Sequence, residues 1–412
     1  MVVPPRSPRP TNVLLADAAA ARGDHEAYVT PASGPRPRSA VDFDGLARRV
    51  RGLATTFVHA GVRRGDVVAL ELPPSVELLV AALGAQWLGA VVASLDPTWP
   101  RPMRAHLLRR SGPRVVVRDD GIDPVSVSVP TFAASELDAA MDAPPAPEVP
   151  VALEDPATIL WTTATSGVIE GVVSTHAALA EATDPAPLEP GRWWSALPQR
   201  RADLLAKVSL ALKVQATVVE SDPDWHPDHA AQLLSGERVS VATATSAQWE
   251  ALAASWGSSG TRLRGLRGVV VDPERLSPAV VEQLGACLGR GLWSSFRPVE
   301  TNAGISGALR SAGASTVVSG GRPEDGVVLE LRDPDGRGAT AGSYGMLAMR
   351  SPAQMLGYLG HVEVGAGSSR LVLDLAATDA AVDRRGWFCT GRLARRGPTG
   401  LIEVAGASGV VG

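Results

Sequence analysis

The chain has 412 residues, 45% of them hydrophobic and 20% charged, which supplies a sizeable core for two or three structural units. A net charge of −4 leaves no basic surplus, which excludes an electrostatic grip on nucleic acid or on an anionic membrane. Cys287 and Cys389 form neither a metal-ligand spacing nor a disulfide framework, the N-terminus lacks the apolar core of a secretory signal, and "VLLADAAAA" is too short to cross a bilayer, so the expected location is the cytoplasm.

In chain order, residues 1–11 are rich in Pro and Arg and are expected to be disordered. Leu46, Val50, Leu53, Phe57 and Val58 then recur at helical spacing, with Asp44 as a possible N-cap and Gly61 past the end. "DVVALEL" (66–72) reads as a buried strand, "SVELLVAALGAQWLGA" as a helix, "VVASL" as a strand, "RPMRAHLLRRSG" as a helix and "RVVV" as a strand. Short apolar strands separated by helices predict a parallel sheet with helical crossovers. "DAPPAPEVP" (142–150) reads as a linker, and a second alternation of helices and strands runs from 228 to 296. From about 315 the texture changes to short strands with Gly and Asp-Gly turns, which predicts a small β-barrel or sheet. The predicted fold class is therefore α/β: two α/β subdomains with mainly parallel sheets flanked by helices over 12–314, then a β-rich subdomain over 315–412.

Three stretches carry a specific resemblance. "GVRRGDVVALELPPSVELLVAALGAQWLGAVVASLDPTWP", "GSYGMLAMRSPAQMLGYLG" and "RRGWFCTGRLARRGPTGLIEVAG" resemble, in order, motifs of the adenylate-forming superfamily of acyl-CoA synthetases, nonribosomal-peptide adenylation domains and luciferases. The resemblance covers residues 12–412 and implies the fold of that group's large N-terminal domain, with its C-terminal lid domain lying outside this chain. Relatives activate a carboxylate with Mg-ATP and pass the acyl group to a thiol.

The positions that would hold the nucleotide depart from the pattern. The resembled phosphate loop is of the type TSGTTGxPKG, and "TTATSGVIEG" keeps Thr162, Thr163, Thr165, Ser166 and Gly167. Ala164 replaces a glycine and Glu170 replaces the lysine. Glycine matters there because only it lets the backbone approach a phosphate closely. The charge reversal matters more, since a unit pair ~4 Å apart is worth roughly 4 kcal/mol at an effective dielectric near 20. Asp272 and Pro273 stand where small residues flank the adenine. In "FRPVET", Phe296 is placed to stack on a base and Glu300 to hold magnesium, but Arg297 replaces a glycine. Arg392 replaces the ribose-binding aspartate, and arginine accepts no hydrogen bond. Glu300 and His176 are the candidates for catalysis.

Three fates remain open for the new charges at 170, 272, 297 and 392: a salt-bridged plug pairing Asp272 with Arg297 or Arg392, a site for another anion, or side chains in solvent. "SDPDWHPDH" reads as turns and a helix cap rather than a metal site. Trp193, Trp194, Trp249 and Trp256 are either core or acyl-pocket lining. The expected function is a degenerate acyl-activating domain without a cofactor, serving an acyl carrier protein or a biosynthetic partner enzyme in acyl or natural-product metabolism. The alternatives are an active ligase that uses Mg-ATP and a C-terminal domain supplied elsewhere, and a structural domain that stabilises a partner.

Overall fold

The computed structural model describes residues 8–138, 143–146, 149–163, 169–182, 190–197, 204–221, 225–257, 263–271, 276–309, 320–340, 342–365, 367 and 369–405. Its helices are α1 (Thr11–Arg22), α2 (Phe43–His59), α3 (Val76–Trp87), α4 (Arg101–Ser111), α5 (His176–Ala180), α6 (Leu204–Val214), α7 (Pro227–Gly236), α8 (Ser246–Gly257), α9 (Pro278–Cys287) and α10 (Leu375–Ala381). Its strands are β1 (Glu26–Thr30), β2 (Ser39–Asp42), β3 (Val67–Glu71), β4 (Val91–Ser94), β5 (Val115–Arg118), β6 (Thr131–Ala133), β7 (Pro156–Thr163), β8 (Ile169–Thr175), β9 (Arg192–Ser195), β10 (Thr217–Val219) and β11 (Val241–Thr245). They continue with β12 (Arg267–Val271), β13 (Leu292–Phe296), β14 (Ile305–Ala308), β15 (Gly320–Pro323), β16 (Val328–Arg332), β17 (Gly345–Arg350), β18 (Gly357–Val364), β19 (Ser369–Leu373), β20 (Phe388–Arg396) and β21 (Ile402–Val404).

Two sheets organise these elements. The 8-stranded sheet runs β19-β18-β8-β7-β4-β3-β5-β6, and the 13-stranded sheet runs β16-β17-β20-β21-β15-β14-β13-β12-β11-β9-β10-β1-β2. From β7 to β6, and from β13 to β1, every pairing is parallel, as the apolar runs between helices predict. Strand β3 is buried along its whole length, which explains the apolar run Val67–Leu70.

The late strands do not stand apart. Antiparallel β14 to β17, β20 and β21 extend the 13-stranded sheet around a small core of Ile305, Leu347, Met349, Ala394 and Ile402, while the β18–β19 hairpin joins the other sheet through β8. The N-terminal segment also differs from expectation. Residues 1–7 lie outside the described residues, but Thr11 begins α1 and is buried. Asp42, not Asp44, caps α2: its side chain accepts the Gly45 amide, because strand β2 delivers the chain in extended geometry two residues earlier. Gly61 follows that helix at φ 88°, as glycine permits.

Buried arginine–carboxylate contacts tie the layers together. Glu71, at the end of β3 and fully buried, accepts Arg104 of α4 on one oxygen and Arg118 of β5 on the other, each at 2.8 Å. Asp66 accepts the Ser369 hydroxyl at 2.6 Å, so the start of β3 holds the start of β19. His176, a candidate for catalysis by sequence, is fully buried behind its N-cap Thr175, and neither ring nitrogen has a hydrogen-bond partner among the described residues. Burial drives its pKa down to about 4, with Asp155 opposing.

Two outcomes follow. Glu71→Gln leaves two buried guanidiniums facing one neutral amide, and is expected to cost about 3–5 kcal/mol in chemical denaturation. His176 binds its proton in the unfolded chain near pH 6.5 but in the folded chain only near 4, so stability falls as pH drops through that window, by about 3 kcal/mol in all. H176L removes this slope. The stability difference between the two proteins is expected to be constant above pH 6.5 and to shift in favour of H176L toward pH 4.

Candidate functional site

The segment after β13 brings the surviving acidic candidate against the other sheet. Asn302, held at φ 45°, donates through Nδ2 to Ser174 Oγ of β8 and to the Ala353 carbonyl, each at 3.1 Å. The Met355 amide donates to the Glu300 carbonyl at 2.7 Å. These bonds fix Glu300 beneath β18, where its carboxylate accepts the Tyr358 hydroxyl at 3.0 Å. Glu300 is 6% exposed, and burial raises its pKa, against the phenol bond. Burial and the neighbouring carboxylates of Glu300 and Glu170 raise the Tyr358 pKa in turn. Tyr358 therefore stays a donor and Glu300 the acceptor.

Glu170 lies on the same face. It pairs with Thr162 across the β7–β8 ladder and is 9% exposed. Its partner is Arg110, from the last turn of α4, with Nη2 2.5 Å from the carboxylate. The β8–β18 ladder consists of two residue pairs, Val173–Gly357 and Val172–Tyr358. Where it opens, Arg110 enters the gap. It donates to the Ile169 carbonyl at 3.0 Å on one strand, and to the carbonyls of Leu359 at 2.5 Å and Gly360 at 3.3 Å on the other. Trp161 lies 5.8 Å from the guanidinium carbon. The negative charge expected to oppose a phosphate is thus offset within the protein.

The remaining candidates divide. Arg297 meets Glu324 at 3.1 Å, and Glu324 also accepts the Gly304 amide. Phe296 is half-buried and packs on the core of the late strands. Arg392 lies in a bulge of β20, where Leu347 faces three residues, and Gly391 takes φ 68°. Among the described residues Arg392 forms no ion pair, and its amide donates to Thr390 Oγ1. Thr163 ends β7 opposite Ile169. Ala164, Thr165, Ser166, Gly167, Asp272 and Pro273 lie outside the described residues, so the proposed pairing with Asp272 does too. His176 is fully buried at the start of α5, and among the described residues no hydrogen bond joins it to Glu170, Glu300 or Tyr358. His226 caps α7, accepting the Asp228 amide, and among the described residues no three His, Cys, Asp or Glu are arranged to hold a metal.

Arg110, Tyr358 and Glu324 were not picked out from sequence. Tyr358 falls inside a motif that was read for resemblance alone, and "RRSG" at the end of α4 reads as ordinary dipole-favourable charge. No local signal marks either as a partner of residues 58 and 60 positions away.

Comparison with known proteins agrees with this architecture. The family model described as AMP-binding enzyme matches residues 15–359. Phosphinothricin tripeptide synthetase PhsC of Streptomyces viridochromogenes is 26% identical over 428 residues, covering 98% of this chain and 36% of the synthetase. The chain thus spans about a third of that relative's length. Feruloyl-CoA synthase of an Amycolatopsis species is 27% identical over 383 residues, covering 89% of this chain and 73% of that enzyme. The N-terminal domain of FACL13 from Mycobacterium tuberculosis superposes with a TM-score of 0.80 at 20% identity, covering 97% of this chain and all of that one. The chain belongs to the AMP-binding enzyme family, in the adenylate-forming superfamily of acyl-CoA synthetases and peptide-synthetase adenylation domains, and has the fold of their N-terminal domain.

Proposed function

We propose that this chain has given up ATP-driven carboxylate activation and acts as an auxiliary component in acyl or natural-product metabolism, holding an acyl or carrier-tethered intermediate in the cytoplasm for an acyl carrier protein or a partner enzyme. The observation that carries this reading is Glu170 in the grip of Arg110. The position where the resembled loop places a phosphate lysine holds a carboxylate, and the nearest guanidinium is committed to three carbonyls and that carboxylate. Glu300 supports the same conclusion. Magnesium is usually held by one or two ionised carboxylates plus substrate phosphates, whereas burial favours the protonated form of Glu300 and Tyr358 already occupies it. These residues do not fit Mg-ATP, so no step through the nucleotide is assigned. A tethered intermediate needs no nucleotide, and non-ATP chemistry such as cyclisation fits the same reading.

The second reading is an active ligase completed by a C-terminal domain from elsewhere. The likeness to feruloyl-CoA synthase over most of that enzyme favours it.

Pyrophosphate exchange over a panel of carboxylates separates the two and is expected to stay silent; exchange above background with any acid favours the ligase. Mg-ATP is expected to leave the thermal midpoint unchanged, whereas binding tighter than about 100 μM, ~5.5 kcal/mol, contradicts the proposal. The Arg110–Glu170 pair is expected to be structural. Glu170→Lys places like charges together and costs about 3 kcal/mol or more, while Arg110→Met in a Glu170→Gln background costs much less than in the native chain. Denaturant titration of the four proteins reads this coupling.

A further inference from the structure

Helix α7 and the loop between β1 and β2 border a groove of about 330 Å³, open to solvent along exposed His226, His229 and Gln232. Pro31, Trp194, Trp225, Leu233 and the imidazoles of His226 and His229 line it. The two imidazole centroids stand 5.5 Å apart, at positions i and i+3 where α7 begins. The groove lies on the face of β9 opposite α6. Trp194 packs with Ala230 and Leu234 of α7, whereas its neighbour Trp193 packs with Leu210 and Ala211 of α6. The charged groups of the wall are already matched. Arg36 donates to Glu220 at 3.1 Å, and Glu237 accepts Arg38 at 2.8 Å and also Arg192. The side chains of His229 and Gln232, by contrast, make no hydrogen bond among the described residues.

Such a wall suits a neutral ligand. An ion would leave water for a place without an unmatched counter-charge among the described lining residues, which costs far more than moving a neutral amide. The rings favour a flat aromatic partner, since stacked or edge-on rings gain more than the area they bury. Volume sets the size: 330 Å³ is about twice the ~150 Å³ apolar cavity that takes benzene, which suits two or three fused rings. Gln232 carries an N–H donor and a carbonyl acceptor side by side, the complement of a ring amide. We propose that this groove binds a neutral, planar aromatic molecule of two or three fused rings, stacked on Trp225 and the two imidazoles, with a ring amide on Gln232 and His229. The site is distinct from the Glu300 face. Strand β9 is separated from β13 by β11 and β12, about 14 Å at the usual strand spacing. It requires neither a nucleotide nor a tethered intermediate, and so goes beyond the function proposed above.

The test is calorimetric titration of the whole chain, without nucleotide, with quinolin-2-one, the cation N-methylquinolinium and the anion naphthalenesulfonate. Quinolin-2-one is expected to bind saturably, with both ions at least tenfold weaker. Trp225→Leu is expected to lose at least tenfold for quinolin-2-one, and Gln232→Leu at least fivefold. Gly236 also lines the groove, and a Cβ built there meets no atom within 4 Å. Gly236→Phe is therefore expected to fold and to weaken binding at least tenfold by occupying the groove; it carries the test should Trp225→Leu fail to fold. Equal or tighter binding of either ion, unchanged quinolin-2-one binding in any of these variants once folded, or no saturable binding at millimolar concentration overturns the proposal. Pyrophosphate exchange is silent on this groove, so the two readings fail separately.

Discussion

The guanidinium of Arg110 holds a sheet open and closed at once. β8 must pair with β7 along its length and also accept β18, a strand that arrives nearly two hundred residues later. The two can share only a short ladder before they splay. Beyond it, the carbonyls of Ile169, Leu359 and Gly360 would face a gap, and a buried carbonyl without a donor costs about 1–3 kcal/mol. One arginine supplies all three bonds because its five N–H groups lie in a fixed fork. A lysine has only three donors on a flexible stem and could not span both strands in this way.

That wedge explains the residue beside it. A guanidinium among backbone carbonyls still carries a full charge, and an uncompensated buried charge is far costlier than an unmade hydrogen bond. Glu170 compensates it. The same logic recurs where Glu71 sits between Arg104 and Arg118 and where Glu324 holds Arg297. The sequence has 39 basic residues, of which Lys207 and Lys213 alone are lysines. An arginine-rich chain thus builds its internal ties from planar, multidentate contacts, each fixing two or more elements.

What could be read from sequence follows from the range of the interaction. The parallel strands and their helices were legible because burial on both faces leaves an apolar run within a few residues, as in β3 and β4. The cap of α2 was misplaced by two residues because "VDFD" offers two aspartates, and only the extended backbone at Asp42 decides between them. The late strands gave clear turn signals, yet nothing local says that β18 crosses to the first sheet while β20 and β21 remain with the second. In the site, residue substitutions were legible one by one. Their partners were not, because Arg110, Tyr358 and Glu324 meet their counterparts only through tertiary pairing. For position 170 the sequence leaves a salt-bridged plug, an anion site and solvent open; its partner is Arg110, which lies outside the four substituted positions.

That difference changes how the departure from the family pattern is understood. A lone lysine-to-glutamate exchange would be a defect that one reverse substitution repairs. An exchange embedded in the Arg110 wedge is not, because restoring a lysine sets two cations side by side and loosens the joint between β8 and β18. Residues 170 and 110 therefore constrain each other, and a lysine at 170 without a change at 110 gives a less stable chain. Glu300 adds a second coupling of the same kind: freeing its carboxylate breaks the bond to Tyr358, which sits in the short ladder that Arg110 bounds. Positions 170 and 300 are thus linked through two adjacent residues of β18, Tyr358 and Leu359. A substitution at either position therefore acts on the other through the sheet joint itself.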